Sequence, residues 1–330
     1  MNRERKGKLL IIQAAGLGYE FLTRHAGTEW QDLAFRPAQS VFPAVTCSVQ
    51  ASFRTALPPS AHGMAGNGLW DATYARARFW EQSARLVTGP RIWQTAREKG
   101  RSVAMLFWQQ SLGEDVDVVL SPAPIHKHHG GMIQDCYSRP AMLYPELCKT
   151  LRRPFDLMHY WGPMASQRSS QWIAEATTAV LSHPGLAPDL CFTYLPVLDY
   201  DLQRYGVRHA RGAKALAHLF KQLALLRAAA ETAGYDVIIF GDYALADVTG
   251  GPVYPNRVLR DSGLLNVRHV RGMAYLDPYT SPAFVVADHE VGHVHIRPGT
   301  DAERVRSVLE AVPAIECVHD REPRAEPGID

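Results

Sequence analysis

Short apolar runs separated by longer amphipathic stretches constrain this chain to buried, mostly parallel strands with helices packed on both faces. Lys8-Leu9-Leu10-Ile11-Ile12 reads as a first strand ending at Ala14-Ala15-Gly16. Ser102 to Trp108, Leu190 to Leu195 and Tyr235 to Phe240 read as three more. The last of these follows a helix of Ala and Leu at helical spacing, from about Ala210 to Ala233, which Gly234 terminates. Ser169 to Leu181 reads as another helix, with Ser169 or Ser170 as its N-cap.

The pattern changes after Gly250. Asn256 to Leu265 reads as a helix, Asn266 to Arg271 and Ala283 to Arg297 as strands, Asp301 to Ala311 as a helix capped by Thr300 or Asp301, and Ile315 to His319 as a final strand. The expectation is an α/β core over residues 1–250, a mostly parallel sheet sandwiched by helices, and a small α+β cap over residues 251–330. Ligands of open α/β sheets bind beyond the carboxyl ends of the strands. Ala14-Ala15-Gly16, Leu198-Asp199-Tyr200-Asp201 and Gly241-Asp242-Tyr243 all fall at such ends, so a site is expected where they converge.

Composition excludes some functions. A formal net charge of +2 gives no electrostatic footprint for nucleic acid. The basic start through Lys8 is followed by an apolar run too short for a signal-peptide core. No stretch approaches the roughly 18 apolar residues of a membrane span. The five cysteines are odd in number and scattered, which suits free thiols in a reducing cytoplasm. A small phosphorylated molecule is the expected partner, for the reasons that follow.

Phe42-Pro43-Ala44-Val45-Thr46-Cys47-Ser48 enters a helix through hydroxyl-bearing residues, and Pro58-Pro59-Ser60-Ala61-His62-Gly63 and Asn67 follow. A hydroxyl at a helix N-terminus lies where N–H groups and the helix dipole favour an anion, although the same residue can be an ordinary cap. The run resembles the nucleotide pyrophosphatase/phosphodiesterase branch of the alkaline phosphatase superfamily: Pro, a Thr nucleophile, a Ser- and Thr-bearing helix, Pro-x-x-His-Gly and Asn. A bacterial subgroup that accompanies biosynthetic gene clusters is similar at Trp161-Gly162-Pro163, at Leu198 to Arg204 and at Asp288-His289-Glu290-Val291-Gly292-His293. The resemblance implies an alkaline phosphatase-like fold, Thr46 as nucleophile, and Asn67 as hydrogen-bond donor to the phosphoryl oxygen. It also implies two divalent metals, usually zinc, that activate the threonine.

The same resemblance exposes departures. Ala15 stands at the first-strand Asp, Gln203 at the His of Asp-x-x-x-His, and Tyr243 at the His after Asp242. The family's last His, near its C-terminus, has no counterpart before Asp330, so that segment is expected to be missing. Thr46, Asp199 and Asp242 remain as metal ligands, with His293 as a further one, and His289, His293 and His295 offer another constellation that Asp288 or Glu290 could assist. Such a set suits Mg²⁺ or Mn²⁺ better than a zinc pair, or holds no metal. Gln203, Tyr243, Arg168 and Trp161 are the expected substrate contacts, Arg204 could also pair with a phosphate, and aromatics such as Trp93, Trp108 and Trp172 either line the pocket or fill the core. Two functions follow: a phosphate-ester hydrolase or transferase working through Thr46, or a non-hydrolytic relative that binds or converts a biosynthetic intermediate in the same pocket.

Overall fold

β1 (Lys8–Ala14) is paired on both edges within a six-stranded sheet, and its Leu10, Ile11 and Ile12 are buried because both sheet faces are covered. β2 (Val103–Leu106), β3 (Val118–Pro122), β4 (Cys136–Arg139), β5 (Leu190–Leu195) and β6 (Tyr235–Gly241) complete it in the order β4-β3-β2-β5-β1-β6. All neighbours run parallel except β4, which is antiparallel to β3. A strand buried on both faces has no reason to alternate, hence the unbroken apolar runs. The half-exposed Ile238 on β6 reflects an edge position. This computed structural model describes residues 7–320; the basic start of the chain and the expected end of the cap, through Asp330, lie outside it.

Helices cover the sheet as the spacing predicts. α2 (Gln167–Leu181) and α4 (Ala210–Ala233) pack together, and the fully buried Trp172, Ile173, Leu219 and Leu226 join the sheet in one apolar cluster. Each such side chain contributes about 1.5–3 kcal/mol by leaving water. α2 starts earlier than expected: Ser169 and Ser170 are interior and buried, and Ser170 Oγ donates to Gln222 Oε1 of α4 at 2.7 Å. α3 (Val197–Tyr205) follows β5 directly. No helix of the described residues is long and apolar enough to cross a membrane.

A second apolar cluster gathers Leu259, Leu264, Phe284, Val286, Val305 and Leu309. They come from α5 (Pro255–Asp261) and the turn after it, which holds Leu264, from the hairpin β7 (Ala283–Asp288) and β8 (Val291–Ile296), and from α6 (Ala302–Glu310), which Asp301 caps. Residues 315–319 are not a strand; among the described residues no partner strand supplies a ladder, and Ile315 and Val318 pack on this cluster instead.

α1 (Thr46–Thr55) is held unusually deep. Phe53 stacks on Phe240 of β6 with ring centroids 4.6 Å apart. Arg54, fully buried, donates to the Gln110 carbonyl at 2.8 Å and lies 3.4 Å from Glu114, which also holds Arg91 at 2.9 Å. Burial pulls the guanidinium down to about 10, against the Glu114 charge that raises it. Removing one partner of a buried pair typically costs about 3–5 kcal/mol because the other charge is left uncompensated. Glu114→Gln is therefore expected to lower stability by roughly 3 kcal/mol in urea unfolding; a loss under about 1 kcal/mol would show that Arg54 is carried by the carbonyls of residues 109 and 110 alone.

Candidate active site

Because β5, β1 and β6 are neighbours, the segments at their carboxyl ends lie side by side. Gly16 is the hinge between them. At φ +70°, a conformation that costs glycine little, its N–H donates to Asp242 Oδ1 at 2.9 Å. A Cβ there would come 3.4 Å from the Asp199 Cα and 2.8 Å from Leu245. Tyr243 links the two carboxylates: its N–H donates to Asp242 Oδ1 at 3.0 Å and its hydroxyl to Asp199 Oδ1 at 2.7 Å. Gln203, one helical turn after Asp199 on α3, donates to both Asp199 oxygens at 2.9 and 3.1 Å.

Asp242 collects two further donors, Gln13 Nε2 at 2.7 Å and the Thr46 hydroxyl at 3.2 Å, both on Oδ2. Burial drives the Asp242 carboxyl up to about 7, against the hydrogen bonds from Gly16 and Gln13 that pull it down. Burial raises Asp199 as well, opposed by Tyr243 and Gln203. Burial, then the charges of Asp199 and Asp242, raises the Tyr243 phenol, so it stays protonated and donates.

Thr46 is the first residue of α1 and is buried. The residue before it, Val45, is extended and offers no capping side chain, so the open N–H groups of the first turn are left to other partners. The Cys47 N–H finds Asn67 Oδ1 at 3.1 Å. Asn67 is held in turn by Asp288, which accepts from its main-chain N–H and, at 3.4 Å, from Nδ2. The amide expected to reach a phosphoryl oxygen thus bridges α1 and the β7–β8 hairpin. His62 of the Pro-x-x-His-Gly run is a structural clasp, buried, 2.8 Å from Ser52 Oγ and accepting the Met64 N–H.

A two-zinc pair does not fit this donor set. Zinc requires about four N, S or O ligands converging on one point. Ala15 offers a methyl group, and the Asp199 oxygens are occupied by the amide and phenol that replace two histidines. Among the described residues no group of three or more His, Cys, Asp or Glu could hold an ion. His293 does not join Asp199 and Asp242: its Nε2, buried without a hydrogen-bond partner among the described residues, sits 3.2 Å from a Cβ built on Gly66, where Asp288 Oδ2 is 3.0 Å away. His295 packs flat on Phe284 at 5.2 Å.

Other expectations change too. Arg168 reaches His159 Nε2 at 3.4 Å rather than the carboxylate corner. Trp161 packs beside Tyr160, and Arg204 spends its guanidinium on the carbonyls of Ala165, Gly162 and Pro163. Trp93, Trp108 and Trp172 are core residues, each at most 2% exposed. Gln13 is the residue that sequence reasoning passed over as a site member, and Asp288, expected only to assist a histidine constellation, instead holds Asn67. A glutamine directly after Leu-Leu-Ile-Ile, in the same buried strand, was the available signal for Gln13, since a buried polar side chain needs a partner.

Comparison with known proteins gives the family and the fold. The Type I phosphodiesterase / nucleotide pyrophosphatase family profile matches residues 31–322. Phosphonoacetate hydrolase from Sinorhizobium meliloti 1021, solved with phosphonoformate, superposes with a TM-score of 0.60 at 17% identity, covering 93% of this chain and 74% of that one. An inactive variant of murine ectonucleotide pyrophosphatase/phosphodiesterase 5, in complex with AMP, gives 0.60 at 14% identity, over 93% and 71%. No curated protein sequence matches significantly. The chain belongs to the type I phosphodiesterase/nucleotide pyrophosphatase family, phosphoric ester hydrolases of the alkaline phosphatase superfamily.

Proposed function

We propose that the protein cleaves or transfers a phosphate ester through Thr46, in a pocket where hydrogen bonds hold the two carboxylates that a metal pair holds elsewhere in the family. The observation that carries this reading is the Thr46 hydroxyl on Asp242 Oδ2, at the open N-terminus of a buried helix. In the family, the two metal ions would supply nucleophile activation and charge neutralisation. Here Asp242 is the available acceptor for the hydroxyl proton. Its carboxyl, lifted to about 7 by burial, divides between acid and base near neutral pH, the condition a general base requires. Thr46 Oγ then forms a bond to phosphorus as the ester P–O bond breaks and the alcohol leaves. Helix N–H groups face the anion, and water later releases the phosphothreonine. Raised carboxyls also lessen the repulsion an incoming phosphate would meet.

A second reading is favoured by the completeness of the Asp199 hydrogen bonds: a non-hydrolytic relative that binds or converts a phosphorylated biosynthetic intermediate. The five free cysteines suit our placement of the protein in the cytoplasm. One experiment separates the readings. A nitrophenyl phosphodiester is offered to wild type and Thr46→Ala, in chelator and with Zn²⁺ or Mn²⁺, alongside elemental analysis. Turnover in chelator by wild type alone supports the Thr46 route, whereas strict metal dependence with stoichiometric metal overturns the hydrogen-bonded site. No turnover, with phosphate still raising the Tm in chelator, favours the second reading.

A further inference from the structure

The tip of the β7–β8 hairpin carries a non-glycine residue at the positive φ that a two-residue turn demands. Asp288 pairs with Val291, so His289 and Glu290 form a two-residue turn, and His289 has φ +57°. That position favours Gly, Asn or Asp. Histidine adopts it at some cost, and the turn carries its imidazole at the hairpin tip.

The strained residue is wired to the active site. Asp288 is buried, and its Oδ1 lies 2.8 Å from His289 Nδ1. The same carboxylate holds Asn67, which holds the Cys47 N–H beside Thr46. Burial opposes ionisation of Asp288, but His289 and the Asn67 N–H outweigh it and keep the carboxyl below its usual range. With Nδ1 engaged, Nε2 is the ring atom left for a ligand, on a side chain that is 46% exposed. The Asp288 hydrogen bond, then the charges of Asp288, Asp199 and Glu290, favour the imidazolium against the cost of burial.

An anionic substrate approaching Asp199 and Asp242 needs a cation. Arg204 is committed to three carbonyls and Arg168 to His159, whereas His289 stands on the Asp288 carboxylate that also holds Asn67, whose amide oxygen meets the Cys47 N–H beside Thr46. We propose that the His289 imidazole, held by Asp288 at the hairpin tip, binds a phosphoryl oxygen of the substrate beside Thr46. This rests on the phosphate-ester reading above and extends it to a residue outside the family's nucleophile and metal positions. Asp288 is then a positioning residue.

His289→Gly removes the imidazole and relieves the positive φ but also takes away a partner of the buried Asp288 carboxylate, so each protein's phosphate shift is read against its own ligand-free Tm. Inorganic phosphate, titrated in chelator, should raise the wild-type Tm and leave that of His289→Gly unmoved. The variant's KM for a nitrophenyl phosphodiester should rise at least 10-fold, with a smaller fall in kcat. Asp288→Asn should show the same KM rise in weaker form. A phosphate shift and KM unchanged in His289→Gly, or no phosphate shift in wild type, overturns the proposal. Loss of the phosphate shift in His289→Gly, with full turnover retained by Thr46→Ala, keeps the His289 assignment and removes the threonine mechanism instead.

Discussion

Thr46→Ala is expected to lower kcat/KM for a phosphodiester at least about 1,000-fold while leaving the fold intact. The neighbouring Cys47 thiol is no substitute for the proposed nucleophile, because it is buried and burial pushes it up to about 12, far from a thiolate. Alanine is compatible with the first turn of α1, which is anchored by Phe53 and Arg54 rather than by Thr46. Asp242 keeps three of its side-chain hydrogen bonds, from Gln13, Gly16 and Tyr243. Net loss of one bond should therefore cost only about 1 kcal/mol. Initial rates of nitrophenolate release and a melting curve on the same preparation measure both quantities. Equal rates for the two proteins would remove Thr46 from the chemistry. A collapsed Tm would instead mean that the hydroxyl is structural.

Much of the scaffold could be read from the chain because each element is locally consistent. Leu190–Leu195 and the helix Ala210–Ala233 have the expected limits, since an apolar run in one and a terminating Gly234 in the other leave few alternatives. The convergence at Gly16, Asp199 and Asp242 followed from strand ends, and Thr46 from the segment that carries the family resemblance. The partners of these residues could not be read. Asn67 meets Asp288 across 221 residues, and Gln13 meets Asp242 across 229. Such pairs depend on sheet order and on how the hairpin docks, neither of which leaves a periodic trace. For the same reason Gln203 and Tyr243 look like losses in the sequence, yet in the structure both are hydrogen-bond donors to one carboxylate. Residues 315–319 failed for the opposite reason: their composition suits a strand, but no neighbouring edge pairs with them.

The sharpest separation between a hydrogen-bonded and a metal-bound site comes from Asp242→Asn. In the unfolded chain Asp242 titrates near 3.8, and in the folded protein burial raises it to about 7. The folded state therefore holds the proton more tightly. Its contribution to stability is complete below about pH 4 and declines as pH rises through 7. At about 1.4 kcal/mol per unit, wild type should lose a few kcal/mol on this account between pH 4 and pH 8. An asparagine carries no charge and removes that dependence. Its oxygen can accept from the Gly16 and Tyr243 N–H groups, and its nitrogen can donate to Thr46 Oγ1 and to Gln13 Oε1, a buried oxygen without a partner among the described residues. Urea unfolding in chelator should thus find the variant more stable than wild type at pH 8 and no more stable at pH 4, with activity lost because the proton acceptor is gone. A resident divalent cation would reverse the sign, because it would hold Asp242 ionised and the amide would forfeit its binding energy. Repeating the pH 8 measurement with zinc present decides which set of forces holds the carboxylate: the variant stays ahead if hydrogen bonds do, and falls behind wild type if a metal does.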